Sequence, residues 1–322
     1  MNRRNFNATA TSLLLTTLAS AVRAQSTQPI RIEVGFPAGG GFDNIGRQLA
    51  TPLGEILGRN VIVENRTGAA GRIALEYVRA APPNGEVISV TNQGAMTLFP
   101  YIYRNLRFDP VKDFTPISRL VTFDYAIAVG SAVPARTFAE YMDWLQKNPG
   151  KGSHASPGNG TTPHLLGVWF HQKIGIPAVH VPYRGSPPMV VDLIGGQVVS
   201  SLNTVGDLIE FHRSGKIRIL ATTGAERSPL LPDVPTLKES GVDIVVPGWV
   251  GLYGPAGMAP DLLASYNQAV AKALQAPALK ENMLKLGWTI SPSSPAEMGE
   301  QQRKELAAWA PVVKASGITP ED

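Results

Sequence analysis

IRIEVGFPAGGGFDNIGRQLA, residues 30–50, decides how the rest of the chain is read. Apolar and polar letters alternate through IRIEV, which is the period of a strand. From Phe42 onward Ile45, Leu49, Leu53, Ile56 and Leu57 step by three or four, which puts them on one face of a helix. Between the two patterns lie Gly39, Gly40 and Gly41. A strand, a glycine turn and a helix make the repeating unit of an α/β sheet, and NVIVENR, AAGRIALEYVRAA and EVISVTN continue the alternation. Pro52 falls inside the first helical pattern and is expected to kink or divide it.

Two nucleotide motifs fail on the letters. A phosphate loop ends in G-K-[ST], whereas the spacing Gly41 to Gly46 is followed by Arg47-Gln48, which lacks the hydroxyl that holds magnesium. A dinucleotide fingerprint begun at Gly39 and Gly41 requires glycine where Asn44 stands. What survives is the physics common to both: backbone N–H groups in a glycine turn ahead of a helix start accept an anion. Asp43 has two readings, a first-turn acid that satisfies orphan amides, worth about 1 kcal/mol, or an acceptor for a ligand.

A less regular stretch, AMTLFPYIYRNLRFDPVKDFTPIS, leads into the strand candidate TFDYAIAVG, and from Thr137 the alternation restarts. The loop SPGNGTTPH, residues 156–164, repeats the small-residue turn between a strand and a helix, with Thr162 expected as N-cap and Pro163 as the first helical residue. A sheet that begins, is interrupted by a second and is completed by the C-terminus needs two crossings, expected near residues 121–130 and 247–254. Two crossings make a hinge and a cleft, across which the two turns can hold a carboxylate. The alternative is that both are only tight turns.

Bulk properties narrow the field. With 322 residues, 43% hydrophobic and 17% charged, the chain has material for two packed domains. Arg3 and Arg4, the apolar stretch TSLLLTTLASA and Val22-Arg23-Ala24 read as a secretory signal; RRNF fits a twin-arginine signal as well as an ordinary one. Cleavage before Gln25 removes Arg3, Arg4 and Arg23 and no acid, so basic and acidic side chains go from 29 against 25 to 26 against 25. A charge near zero gives no reason to expect nucleic acid or direct membrane insertion. Zero cysteines exclude thiol nucleophiles, iron-sulfur clusters and cysteine zinc sites.

Enzyme motifs are weak. HASPG, residues 154–158, has the outline of a nucleophile elbow, but the residue after Ser156 is Pro157, which has no N–H for an oxyanion hole. Ser156 is better used as a hydroxyl donor to a ligand. The histidines His154, His164, His171, His180 and His212 form no H-E-x-x-H or histidine-carboxylate pattern, so neither metal nor cofactor is expected. Trp249 stands among glycines near a proposed crossing and is a candidate pocket wall. Phe36 and Phe42 bracket the glycines and can cover a ligand's apolar face or belong to the core.

The motifs PIRIEVGFPAGGGFD, VIVENRTGAAGRIALEYV, RFDPVKDFTPIS, SPGNGTTPHLLG, HVPYRGSPPMVVDLIGGQV, RSPLLPDVPTLKESG, GWVGLYGPAG and ASGITPED resemble, in order, those of the periplasmic substrate-binding proteins of tripartite tricarboxylate transporters, the Bug receptors. The resemblance implies a two-lobed Venus-flytrap receptor that performs no chemistry. It closes on a small organic anion held largely by backbone amides and waters, and hands the anion to membrane transporter subunits. It carries Phe36, Gly39, Gly40, Gly41, Phe42 and Asp43 into the site from the first loop, Ser156, Asn159, Gly160, Thr161 and His164 from the second, and Gln93 from the end of a strand. This chain departs from the family at Asn203, where an aspartate is usual, and at Phe42, where a small residue is frequent. The first favours an additional ligand carboxylate or exchanges a hydrogen bond; the second favours an aromatic ligand.

The expectation is therefore an α/β periplasmic-binding-protein fold with a mostly parallel sheet flanked by helices in each lobe. A signal peptide would span residues 1–24, lobe 1 residues 25–125 and 248–322, and lobe 2 residues 126–247, with two crossover strands at the hinge. The function expected is capture of a dicarboxylate or aromatic acid by a monomeric periplasmic receptor. A secreted serine hydrolase using Ser156, or a receptor coupled to a sensor, is the alternative.

Overall fold

The computed structural model describes residues 28–317 and Pro320; the expected signal segment lies outside the described residues. The first half opens with β1 (Ile30–Val34), α1 (Gly41–Leu57), β2 (Val61–Asn65), α2 (Arg72–Arg79) and β3 (Val87–Asn92). Short helices α3 (Gln93–Thr97) and α4 (Phe99–Ile102) precede β4 (Phe114–Phe123). The second half contains β5 (Tyr125–Val129), α5 (Phe138–Lys147), β6 (Ser153–Ser156), α6 (Thr162–Ile174) and β7 (Val179–Pro182). It continues through α7 (Ser186–Gly195), β8 (Ser200–Thr204), α8 (Val205–Arg213) and β9 (Arg218–Thr222). The chain then returns through β10 (Gly248–Pro255), α9 (Pro260–Ala273), α10 (Pro277–Lys285), β11 (Thr289–Ile290) and α11 (Pro295–Ser316).

Two sheets result, with strand orders β11-β4-β10-β3-β1-β2 and β7-β6-β8-β5-β9. Strands reached through a crossover helix run parallel, as β1 with β2 and β3, and β6 with β7 and β8. The exceptions to a common direction are β5 in the second sheet and β10 and β11 in the first; β5 and β10 are the strands that enter directly from the other sheet. The sheets are thus mixed in pairing while most of their strands point one way.

The expected single strand TFDYAIAVG is cut at Asp124, because the chain changes sheets there. Thr223 ties this passage to the returning one. Its N–H donates to the Tyr125 carbonyl at 2.9 Å and its hydroxyl to the Val246 carbonyl at 2.8 Å, while the Val246 N–H donates to the Thr223 carbonyl. Where the halves touch again, a Cβ on Gly206 would lie 2.1 Å from the Leu286 carbonyl oxygen, so only glycine permits that approach.

Pro52 does not divide α1, which runs unbroken through it. Full burial of Ile45, Leu49 and Leu53 is worth roughly 5–8 kcal/mol, more than the roughly 3 kcal/mol a helix-interior proline costs. Among the described residues no helix is long and apolar enough to cross a membrane.

Helix α11 binds the first half and reaches the second. It packs against β4 and α3, and also against α6, where Trp309 meets Trp169 edge-on at 5.7 Å and the Ala315 carbonyl accepts from Gln172. Its Glu305 carboxylate accepts from Gln93 Nε2 at 2.7 Å and Trp249 Nε1 at 2.8 Å through one oxygen, and from Gln301 Nε2 at 2.8 Å through the other. Burial raises the Glu305 pKa, and these donors partly offset that rise. Glu305→Leu strands buried donors and should lose about 2–4 kcal/mol in chemical denaturation, whereas Glu305→Gln, which keeps an acceptor for Gln93 and Trp249, should lose less than half of that.

Candidate functional site

A cavity of about 430 Å³ lies between the two sheets, at the C-terminal ends of their parallel strands. The turn after β1 contributes Phe36 and Phe42, the end of β3 Asn92 and Gly94, and the turn after β6 Pro157, Asn159, Gly160, Thr161 and Thr162. The turn after β7 adds Gly185 and Ser186, and the end of β8 adds Asn203, Thr204 and Asp207. Five helices, α1, α3, α6, α7 and α8, thus begin at one cavity. Each contributes the positive end of its dipole.

Their starts differ in what they leave unpaired. Thr204 caps α8 by accepting from the Asp207 N–H, and Asn92 caps α3 by accepting from the Ala95 N–H. Thr161 caps α6 by accepting from the His164 N–H, and Pro163 has no N–H to offer. The expected cap Thr162 is instead the first helical residue; the chain enters the helix one residue early because Thr161, not Thr162, has extended backbone angles. Helix α7 carries Pro187 and Pro188 in its first turn. Only α1 combines a cap without a side chain, Gly40, with a first turn of Gly41, Phe42 and Asp43 whose N–H groups are all present.

Asp43 fixes this loop rather than facing the cavity. Its Oδ2 accepts from the Gly39 N–H at 2.8 Å and Arg47 Nε at 2.9 Å, and its Oδ1 from Asn65 Nδ2 at 2.9 Å. Burial opposes ionisation, but the bonds from Arg47, Gly39 and Asn65 outweigh it and hold the carboxyl below its ordinary pKa. The Asn65 amide also donates to the Phe36 carbonyl, so one acid and one amide set the turn's shape. Phe42 is wedged between Phe36, stacked at 4.6 Å, and Trp288 at 5.8 Å. A Cβ on Gly41 would meet the same Trp288 ring at 2.7 Å.

Of the residues singled out in the sequence, Phe36, Phe42, Asn159, Gly160, Thr161 and Asn203 line the cavity, and Gly39, Gly40, Gly41 and Asp43 form the turn beside Phe42. Gln93 and Trp249 do not line it. Both are fully buried and hold Glu305, because a buried carboxylate takes the nearest strong donors. The strand-end position expected of Gln93 belongs to its neighbours Asn92 and Gly94. The reading missed Ser186 and Asp207, which follow β7 and β8 in the same way that the glycine loops follow β1 and β6.

Ser156 and His164 lie behind the second loop. The Ser156 hydroxyl donates to the Gly158 carbonyl at 3.0 Å and lies 2.8 Å from His180 Nε2, while His164 Nδ1 accepts from the Gly160 N–H at 3.1 Å. Ser156 is fully buried and outside the cavity lining, with Pro157 beside it, so its pairing with histidine serves the loop's shape. Four imidazoles share this layer: His164 stacks on His180 at 3.6 Å, and His154 lies 5.0 Å from His180 and 5.3 Å from His171. Among the described residues no group of three or more His, Cys, Asp or Glu is arranged to hold a metal.

The sequence profile described as tripartite tricarboxylate transporter family receptor matches residues 45–318, and the chain belongs to that family of solute-binding receptors. It is similar to the UPF0065 protein in the gbd 5' region of Cupriavidus necator, at 34% identity over 96% of this chain and 94% of that one. Among solved structures it resembles Rpa4515 of R. palustris with adipate, at 29% identity and TM-score 0.80 over 92% of this chain and all of the other. It also resembles the periplasmic binding protein BugD, at 30% identity and TM-score 0.76 over 91% of this chain and 99% of the other. The α/β fold is that of the periplasmic binding proteins.

Burial lowers the pKa of His164, His171 and His180 to about 4, and burial together with the neighbouring imidazoles depresses His154 as well. Histidines whose folded values lie below the unfolded 6.5 make the unfolded state bind more protons, so their contribution to stability falls as pH drops from about 6.5 to about 4. Asp124, raised to about 6 by burial, works in the opposite direction. His171→Leu should therefore flatten the stability curve between pH 4 and 6.5 by up to about 1.4 kcal/mol per pH unit relative to the parent, as read by denaturant titration.

Proposed function

We propose that the protein is an exported periplasmic receptor that captures a small organic carboxylate in the cavity between its sheets and delivers it to a membrane transporter. The observation that carries this reading is the start of α1: three N–H groups, an uncapped helix end and no cationic side chain among the described lining residues. An anion there completes the hydrogen bonding of Gly41, Phe42 and Asp43, with Asn159, Gly160, Thr161 and Thr162 opposite. Charge-assisted bonds to a carboxylate are about twice as strong as neutral ones, and exclusion of water by the surrounding rings strengthens them further. Membership in a transporter receptor family and the adipate held by Rpa4515 support the same ligand chemistry.

The two sheets act as lobes, residues 25–125 with 248–322 and residues 126–247, hinged on the paired passages at Asp124 and Val246. Ligand bridges the lobes and favours the closed arrangement. The receptor works as a monomer on its ligand side and meets transporter subunits through its outer surface. Its ligand chemistry is binding alone, without metal, cofactor or covalent step.

Thermal unfolding of protein denatured and refolded to strip bound solute tests the reading. Against benzoate, 4-hydroxybenzoate, adipate, citrate and glutamate, a ligand at a hundred times its Kd adds about 2.7 kcal/mol, which is a shift of several degrees. A shift with at least one carboxylate that vanishes in Gly160→Val is expected; no shift with any of them contradicts the proposal.

A further inference from the structure

The cavity is charged on one side in a way that selects among carboxylates. Among its described lining residues there is no Lys, Arg or His and one acid, Asp207, in the first turn of α8. Asn203 Nδ2 donates to the Ser186 hydroxyl oxygen at 2.8 Å, and that hydroxyl donates to Asp207 Oδ2 at 2.8 Å. The three side chains come from two different turns, so the second half holds the carboxylate in a fixed direction. All the protons of this relay run toward Asp207, which ends it as an acceptor.

Much of the remaining lining is aromatic. Phe36, Phe42, Phe99, Tyr103, Phe123 and Tyr125 belong to it, and Trp288 braces Phe42 and Phe123 from behind at 5.8 and 5.7 Å. Packing fixes the Phe42 and Phe123 rings, which can therefore take a flat ligand without rearranging. A dicarboxylate bound at the start of α1 would bring its far charge toward Asp207 with no cation to offset it. A ring bearing a hydroxyl at that end would instead donate to Asp207.

We infer that this receptor takes a hydroxyl-bearing aromatic monocarboxylate, with the carboxylate at the start of α1, the ring between the aromatic walls and the hydroxyl donating to Asp207. The inference rests on the carboxylate-receptor reading and narrows it. Asp207 sets specificity twice over, by accepting the hydroxyl and by repelling a second carboxylate in the same place. Asn203 contributes indirectly: its neutral amide starts the relay as a donor, which an aspartate there would reverse.

Calorimetric titration of refolded protein with 3- and 4-hydroxybenzoate, benzoate, terephthalate and adipate tests this. One of the two hydroxybenzoates should bind at least tenfold more tightly than benzoate and terephthalate. Asp207→Ala should remove that advantage over benzoate, and Asp207→Asn should tighten terephthalate severalfold without a matching gain for benzoate. Equal affinities across the three aromatic types in the parent, or a ranking unchanged in Asp207→Ala, overturn the inference. Adipate binding as tightly as any aromatic acid overturns it while leaving the carboxylate receptor intact, and failure of all five to bind overturns both.

Discussion

A helix begins with N–H groups that its own backbone cannot satisfy, and the rest of this structure is organised around one such beginning. At the start of α1 the cap is Gly40, which has no side chain to offer, and three successive amides have no partner within the helix, in the turn that brings Phe42 to the cavity. Everything near them serves to hold that turn open. Asp43 draws in the Gly39 amide, Arg47 and Asn65 fix Asp43, and Trp288 leaves no room for a side chain at Gly41. The acid of that first turn is thereby occupied with other donors, and it shapes the turn.

The second half repeats the device with different chemistry. Its loop is shaped from behind by Ser156, His164 and His180, and its helix is capped by Thr161, so fewer amides remain for a ligand. Under the proposed function this asymmetry divides the work: the first half would supply amides for an anion, and the second would supply Asn203, Ser186 and Asp207 to distinguish one anion from another. The halves are joined by two adjacent passages tied at Thr223, with α11 in contact with both halves.

Much of this was legible in the letters because it depends on local periodicity and on glycine. The alternation of strands and helices, the two glycine turns, the interruption of one sheet by another and the cavity position of Phe36, Phe42 and Asn203 all follow from spacing or motif resemblance. What escaped depends on long-range partners. The family resemblance assigns Gln93 to the pocket and the surrounding glycines make Trp249 a candidate wall, but Glu305, over fifty residues beyond Trp249, claims both. The change of sheet falls within the expected crossing at residues 121–130, but its exact place at Asp124 does not show in the letters, where TFDYAIAVG reads as one strand. Asp207, in the first turn of α8, comes to the cavity only because five strand ends converge there.

The central claim is that backbone amides at the start of α1 hold the ligand's carboxylate. Amide chemical shifts, followed by ¹⁵N-correlation NMR during titration of refolded protein with 4-hydroxybenzoate, test it most directly. The account predicts the largest downfield shifts at Gly41, Phe42 and Asp43, with smaller ones from Asn159 to Thr162. Saturable binding that left the amides of residues 41–43 unmoved while shifting others would contradict it.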